Sequence, residues 1–228
     1  MGIIKIKFER WKEMDRTISI LFSIFLPIAI LLLSVNVIAF NENFYAKKYD
    51  EYNITYSTNI EKDELMDLTT KLFKYLRGEE NNSKIEKYFN KKELMHLEDV
   101  KTLFNKGFVL RNISISILLI SIIYLLFNKP KNLAVYGRNS SIISLGIILA
   151  FFILYLIDFN KYFTYFHLVL FDNDLWLLNP NVDILIRIFP EEIFIDLLNN
   201  IVLLFVIIMS IILVITNLYI GRVKGNVK

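Results

Sequence analysis

The sequence has two histidines, His96 and His167, and both lie outside its four long apolar stretches. Imidazole has a pKa near 6.5, so it exchanges a proton readily at ambient pH. One histidine alone in such a place is more often a hydrogen-bonded structural residue than a base. Two of them on the same side of a membrane, as argued below, could act as general base and general acid in one reaction.

Carboxylates lie close to both histidines in the sequence and could orient their rings. Glu93 and Asp99 stand three residues to either side of His96, within reach on one helical surface. Asp174 follows His167 in a stretch that mixes apolar and ionisable residues. We expect these carboxylates to set the tautomers of the histidines. The pattern leaves open which histidine would be the base.

The composition indicates an integral membrane protein. Hydrophobic residues make up 55% of the chain and charged residues 21%, which is more apolar than a soluble domain. About twenty apolar residues cross the hydrocarbon core as a helix. Four stretches reach that length, at residues 17–40, 108–127, 140–157 and 201–220. We therefore predict an all-α protein with four transmembrane helices. Pro27 in the first is tolerable if a neighbouring helix satisfies the carbonyl that it frees.

Short basic segments predict the orientation, because Lys and Arg near the ends of spans stay in the cytoplasm. Three short segments are predicted to be cytoplasmic: the N-terminus (1–16), a connecting loop at 128–139 and the tail 221–228. Their basic residues are Lys5, Lys7, Arg10, Lys12, Arg16, Lys129, Lys131, Arg138, Arg222, Lys224 and Lys228. The segment 158–200 has seven carboxylates against two basic residues, so it is predicted to face outward. Alternation of the spans places 41–107, and hence both histidines, on that outer side.

Residues 41–107 are predicted to form a small extracytoplasmic domain. Tyr49–Thr58 is rich in Tyr, Thr and Ile and is predicted to be extended. Apolar residues at helical spacing between Leu65 and Leu76 predict a helix that ends before Gly78. A second helix is predicted to open at Asn90, with Glu93 completing a capping box.

Residues 158–200 are too polar to span a membrane and too apolar to be free in water, so we expect them to lie in the membrane interface. Trp176 and Phe171 are by default part of an aromatic belt at headgroup level, and binding of an acyl chain is the sharper alternative. Asp183 and Arg187 are spaced i, i+4 and are predicted to form an ion pair that supports the site. The chain is predicted to restart at Pro190 before the last span.

Two of these segments resemble the bacterial lipoprotein intramolecular transacylases, the Lit family. The likeness rests on Glu93–Lys101 and on His167–Pro180, followed by Asp183, Leu185, Ile186 and Phe189–Glu191. Together with four spans in the same order, it covers almost the whole chain. The resemblance implies a multi-pass protein of the bacterial cell membrane. It also implies an enzyme that moves the sn-2 acyl chain of an S-diacylglyceryl-cysteine lipoprotein onto the α-amino group of that cysteine.

The residue chemistry is compatible with such a transfer. One histidine would accept the amine proton, while the other would polarise the carbonyl or protonate the departing glyceryl oxygen. This scheme needs no cofactor and no metal. The expected partners are a diacylglyceryl-lipoprotein substrate and membrane lipids.

Other classes of function fit the sequence less well. The net charge of +3 is accounted for by topology, and no basic face with interleaved aromatics indicates nucleic-acid binding. Zinc held by the two histidines and a carboxylate is a weaker alternative, because their spacing has no ligand signature. The main alternative is a non-catalytic membrane protein whose outer domain binds a partner or senses pH through its histidines.

Overall fold

Helices make up all of the regular structure in the part of the chain that the structure describes. The structure is a computed structural model that describes residues 2–225, with side chains from residue 12 onward. The predictions that concern the side chains of Lys5, Lys7, Arg10 and Lys228 lie outside it. In chain order the helices are α1 (Gly2–Ala39), α2 (Glu42–Glu51), α3 (Ile54–Thr58), α4 (Lys62–Leu76), a 3₁₀ turn (Asn82–Lys84), α5 (Lys91–Asn128), α6 (Pro130–Ile157), α7 (Phe159–Leu170), α8 (Leu185–Ile188) and α9 (Glu191–Gly225).

Four of these helices are long and apolar enough to cross a membrane, as the sequence predicts: α1 from Lys12 onward, α5, α6 and α9. The prediction that residues 128–139 form a loop is wrong. Only Lys129 separates α5 from α6. Pro130 disfavours a helical conformation at Lys129, yet it is well suited to the first position of the next helix, where an N–H would have no partner.

Contacts divide the chain into two compact units. The first contains residues 1–34, 110–152 and 202–228, and the second contains residues 35–109 and 153–201. In the first unit, side chains from α1, α5 and α9 form a buried apolar cluster: Phe22, Leu26, Ile30, Leu125, Phe205 and Met209. The buried face of α6 is made of small residues, Ala134, Gly137, Ser140, Ser141 and Ser144. Small residues allow helix backbones to approach closely in a membrane.

Pro27 is accommodated inside α1 in the way that the sequence predicts. A proline has no N–H, so the carbonyl of Ser23, four residues earlier, loses its helical partner. The Ser140 hydroxyl of α6 donates to that carbonyl at 2.7 Å. A neighbouring helix therefore satisfies the freed group, and the bond joins α1 to α6.

The second unit has its own apolar core, built from α2, α4, the first turns of α5, α8 and the start of α9. The prediction of an extended Tyr49–Thr58 is wrong, because this stretch belongs to α2 and α3. Tyr45 and Tyr49, four residues apart, are both buried on one face of α2, and the Tyr49 hydroxyl bonds to that of Thr69 at 2.7 Å. Packing of this helical face outweighs the strand propensity of the residue types.

Two local end signals are confirmed. Gly78 has φ +77°, the left-handed conformation that terminates α4 after Arg77. At the start of α5, the Glu93 carboxylate accepts from the Asn90 N–H at 2.7 Å, and the Asn90 side chain accepts from the Glu93 N–H at 3.0 Å. This reciprocal pair is a capping box with asparagine as its N-cap.

Candidate active site

His96 lies on the second turn of α5, directly after the capping box. Its side chain is buried, with 8% of its surface exposed. Its Nδ1 atom is buried and has no hydrogen-bond partner among the described residues. The ring meets Phe171 edge-on, with 5.4 Å between the ring centroids. A polar nitrogen is therefore held in apolar surroundings within the second unit.

His167 lies in the last turn of α7 and is equally buried. Its Nδ1 atom is 2.7 Å from the backbone carbonyl oxygen of Phe163, one turn earlier. Because a carbonyl oxygen can only accept, Nδ1 has the proton in this bond. The neutral ring then has its lone pair on Nε2, where it can accept a proton.

Aromatic rings surround His167 and connect it to His96. The two imidazole centroids are 6.4 Å apart. Phe171 contacts both rings, and the indole of Trp176 stacks on His167 with a centroid distance of 4.8 Å and an interplanar angle of 24°. We call the four residues His96, His167, Phe171 and Trp176 the histidine cage. The structure thus brings together the two histidines and the two aromatic residues singled out in the sequence.

The loop that contains Trp176, residues 171–184, is attached to the start of α5 by polar contacts. The Lys92 ammonium donates to the Leu177 carbonyl at 2.5 Å, and the Asn173 amide donates to Asp99 at 2.9 Å. Asn90 donates through its side chain to Asp183 at 2.7 Å. These contacts hold the loop against the helix turn that presents His96.

Glu93 and Asp183 occupy buried positions in this attachment. Glu93 is 1% exposed, and its second carboxylate oxygen accepts from the Leu185 N–H at 2.6 Å. Glu93 therefore binds backbone N–H groups at the start of both α5 and α8. Asp183 also accepts from the Asn179 N–H at 2.6 Å. Burial raises the pKa of Asp183, but the Asn179 and Asn90 donors outweigh it and leave the pKa below the usual 3.8.

The expected orientation of the imidazoles by carboxylates does not appear in the geometry. Among the described residues, no carboxylate hydrogen-bonds to either histidine ring, and the backbone carbonyl of Phe163 fixes the tautomer of His167. Glu93 instead joins the start of α5 to α8, Asp99 accepts from Asn173 of the loop, and Asp174 lies exposed within the loop. The sequence signal for Phe163 is its position four residues before His167, on the same face of a helix.

The predicted ion pair between Asp183 and Arg187 is wrong. Arg187 points to a different partner, because its guanidinium donates to the Ser57 carbonyl of α3 at 3.3 Å. Each carboxylate oxygen of Asp183 accepts instead from another donor, one from Asn90 and one from Asn179. Arg187 therefore joins α8 to α3 and lies outside the histidine cage.

Burial also determines the charge of His167. Removal from water lowers its pKa below the ordinary 6.5, and the hydrogen bond to Phe163 raises it only in part. His167 is therefore neutral at pH 7 and can act as a base.

Within residues 12–225, no group of three or more His, Cys, Asp or Glu side chains is placed to hold a metal ion.

Comparison with known proteins identifies the family. The family model for the lipoprotein intramolecular transacylase Lit matches residues 20–194, which is most of the chain. The chain belongs to the Lit family. No curated protein matches it in sequence. The in meso structure of the membrane-integral Lit from Bacillus cereus has 26% sequence identity and a TM-score of 0.83, and the match covers 94% of this chain and 99% of that one.

Two further structures of the Bacillus cereus protein share the fold. They have one histidine replaced, by arginine in one and by alanine in the other. Both are 24% identical to this chain, with TM-scores of 0.81 and 0.80. The matches cover 100% of both chains in the first case, and 96% of this chain and 99% of the other in the second. The chain is therefore a multi-pass membrane protein with a Lit-like fold, from a family named for a transacylase.

Proposed function

We propose that this protein is a lipoprotein intramolecular transacylase that works by histidine acid–base catalysis. It moves the sn-2 acyl chain of an S-diacylglyceryl-cysteine to the α-amino group of the same cysteine, which gives an N-acylated, lyso-form lipoprotein. The observation that carries the proposal is the histidine cage. It holds two buried imidazoles whose ring centroids are 6.4 Å apart, and one of them, His167, has a free lone pair on Nε2 that can accept a proton. Membership of the Lit family supports the reaction class.

The reaction balances within one substrate molecule. The amine nitrogen forms a bond to the ester carbonyl carbon, and His167 accepts the amine proton at Nε2. The tetrahedral intermediate then re-forms its C=O bond, and the bond from carbon to the glyceryl oxygen breaks. His96, which is neutral, donates its N–H proton to that oxygen, which becomes the free sn-2 hydroxyl, and it takes a proton from His167 on its other nitrogen. The proton taken by His167 returns through the pair, so no water, cofactor or co-reactant is consumed.

The intramolecular nature of the transfer makes positioning as important as basicity. Amine and ester belong to one molecule, and holding them folded together can remove about 7 to 11 kcal/mol of the barrier. The polar attachment of loop 171–184 to α5 keeps the cage in one arrangement, as such positioning requires.

We assign the second unit to the outer face of the cell membrane, with both termini in the cytoplasm. Asp15, at the start of the first span, binds Lys129 at 3.2 Å and accepts from Tyr124 at 2.9 Å. The start of the first span and the connector between α5 and α6 therefore lie at one end of the first unit. Both are basic, which supports the cytoplasmic assignment of that end.

Exposed apolar side chains on α7 support a position of residues 158–200 in the membrane interface. Phe166 is 51% exposed and Val169 is 82% exposed. Apolar residues on a short helix outside the spans are stabilised by contact with the boundary between headgroups and acyl chains. The ester bonds of a lipoprotein lie at that depth.

A synthetic diacylglyceryl lipopeptide tests the proposal. The purified protein in detergent should convert it to a product of unchanged total mass, and fragmentation should place one acyl chain on the amine. His96→Ala and His167→Ala should each lower the rate by about 10² to 10⁴. Met95→Ala, which changes an exposed side chain beside His96, is the matched control. Full activity of the double histidine variant would exclude histidine catalysis. A wild-type protein without any conversion would favour a partner-binding or pH-sensing role.

A further inference from the structure

Trp176, a residue of the histidine cage, has a hydrogen-bond donor that the reaction scheme above does not use. Its Nε1–H is buried and has no partner among the described residues. Buried indole N–H groups usually find an acceptor, because an unpaired donor loses the hydrogen bond that water would have made. An unpaired donor beside the proposed acid–base pair is available to bind an oxygen of the substrate.

Unpaired polar atoms are concentrated in this cage. Four side chains in the described part of the chain have a buried polar atom without a partner, and two of the four are His96 and Trp176. His167 connects them, since its ring stacks on the indole at 4.8 Å and lies 6.4 Å from the ring of His96. A ligand with both donors and acceptors would satisfy these atoms together.

Three other side-chain donors at the start of α5 and in loop 171–184 each have an acceptor. The Lys92 ammonium is bound by the Leu177 carbonyl, and the Asn173 amide by Asp99. The Asn90 amide is bound by Asp183. Within the cage, beside the unpaired ring nitrogen of His96, the indole N–H is thus a donor that no described residue accepts. It is neutral, so it can bind an oxygen without opposing the protonation of His167.

We propose that Trp176 is a catalytic hydrogen-bond donor whose indole N–H binds the carbonyl oxygen of the migrating acyl group. This inference rests on the proposed transacylase function. When the amine nitrogen bonds to the carbonyl carbon, the π electrons of the C=O bond move to its oxygen. The Nε1–H binds that oxyanion until the C=O bond re-forms and the glyceryl oxygen leaves. The donor keeps its proton throughout.

The indole has a second property that could affect the reaction, namely the ring face that stacks on His167. The experiment below distinguishes a role of this face from a role of the N–H. The ring lies nearly parallel to His167, and the face of an aromatic ring stabilises an adjacent cation. A role of the face alone would survive loss of the N–H and would appear in the protonation of His167. A role of the N–H would appear in the maximal rate, with the pH dependence unchanged.

Two replacements at position 176 remove the donor and differ in how much of the ring system they keep. Trp176→Phe removes the N–H and keeps an aromatic ring beside His167. Trp176 replaced by β-(3-benzothienyl)alanine keeps both fused rings and replaces N–H by sulfur. Each is compared with wild type for kcat, KM and the pH profile on the diacylglyceryl lipopeptide. Trp11→Phe, at the only other tryptophan, is the control.

The oxyanion role predicts that both replacements lower kcat by about 10² to 10³. KM and the acidic limb of the pH profile should stay close to those of the wild type. If Trp176→Phe unfolds, the benzothienyl variant decides alone. A loss of less than about tenfold in that variant would overturn the inference. So would a loss explained by a shift of the pH profile. An inactive wild type would instead overturn the proposed function, so the two failures are distinguishable.

Discussion

At the scale of single residues, the chemistry of the site depends on how little water reaches the imidazoles. Each histidine is only 8% exposed, and burial disfavours the charged ring. A neutral imidazole is the form that can take a proton from an amine. The Phe163 carbonyl then determines which nitrogen of His167 does so. Two local properties, burial and one backbone hydrogen bond, thus make a histidine into a candidate base.

The lowered pKa of His167 predicts a pH dependence with a definite sign. In the unfolded chain His167 protonates near pH 6.5, whereas in the folded protein it protonates at lower pH. The unfolded state therefore binds more protons in that window, and the stability contributed by neutral His167 is lost as pH falls below about 6.5. The part of the acidic limb of kcat/KM that is due to His167 should likewise lie below 6.5, separate from the ionisation of the substrate α-amine near pH 8.

NMR titration of ring-labelled histidine measures this directly. The chain has only two histidines, so two ring signals are expected, and His96→Ala assigns the remaining one to His167. A midpoint below 6.5 for that signal would confirm the prediction. A midpoint at or above 6.5 would contradict the view that burial controls the protonation of His167.

At the scale of elements, the start of α5 organises the site. One buried carboxylate, Glu93, closes the N-terminus of α5 and binds the N–H of Leu185 at the start of α8. Loop 171–184, which contains Trp176, lies between α7 and α8. A change at Glu93 should therefore affect stability and the site together.

Glu93→Gln should lower the free energy of unfolding by about 1.5 to 3 kcal/mol, because it replaces charge-assisted hydrogen bonds by neutral ones and sets an amide donor against buried N–H groups. Glu98→Gln is the control, since Glu98 lies exposed on the same helix. Thermal unfolding in detergent gives the stability, and hydrogen exchange at Leu185 reports the local bond. Equal exchange in both variants would argue against a role of Glu93 in holding α8.

The bond between Ser140 and the Ser23 carbonyl predicts a coupling between two helices. Ser140→Ala should cost about 1 kcal/mol in wild type, because it leaves that carbonyl unpaired in the membrane. In a Pro27→Ala background the restored N–H can take its place, so Ser140→Ala should cost less. Ser141→Ala is the control, since that hydroxyl bonds to the Gly137 carbonyl of its own helix. A double-mutant cycle of unfolding free energies with no coupling would contradict this account.

The features that are readable from the sequence are those set by neighbours along the chain. Apolar length gives the spans, Gly78 ends α4, and the spacing of Asn90 and Glu93 gives a capping box. Features that depend on distant partners are not readable in this way. Ser57 as the partner of Arg187 and Leu185 as the partner of Glu93 arise only when the chain folds. Tyr49 is wrongly predicted to be extended for the same reason. Its packing against Thr69 favours a helix and outweighs the local propensity for a strand.

At the scale of the whole molecule, lipid and charge act on the chain together. The candidate spans expose large apolar side chains such as Ile120, Phe151 and Leu218, which suit contact with lipid chains. In the proposed orientation, the basic segments keep the adjoining ends of the spans in the cytoplasm. The position of the histidine cage relative to the cell thus depends on residues that are outside the cage itself.

This orientation can be tested without background labelling, because the sequence has no cysteine. Glu79→Cys and Lys131→Cys each change an exposed residue, in the proposed outer domain and in the basic segment 128–139. In intact cells a membrane-impermeant maleimide should label Glu79→Cys. It should label Lys131→Cys only after the membrane is opened. The reverse pattern would place the histidine cage at the cytoplasmic face, where the proposed reaction would have to meet its substrate on the other side of the bilayer. Labelling of both variants in intact cells would contradict the alternation of spans from which the orientation is inferred.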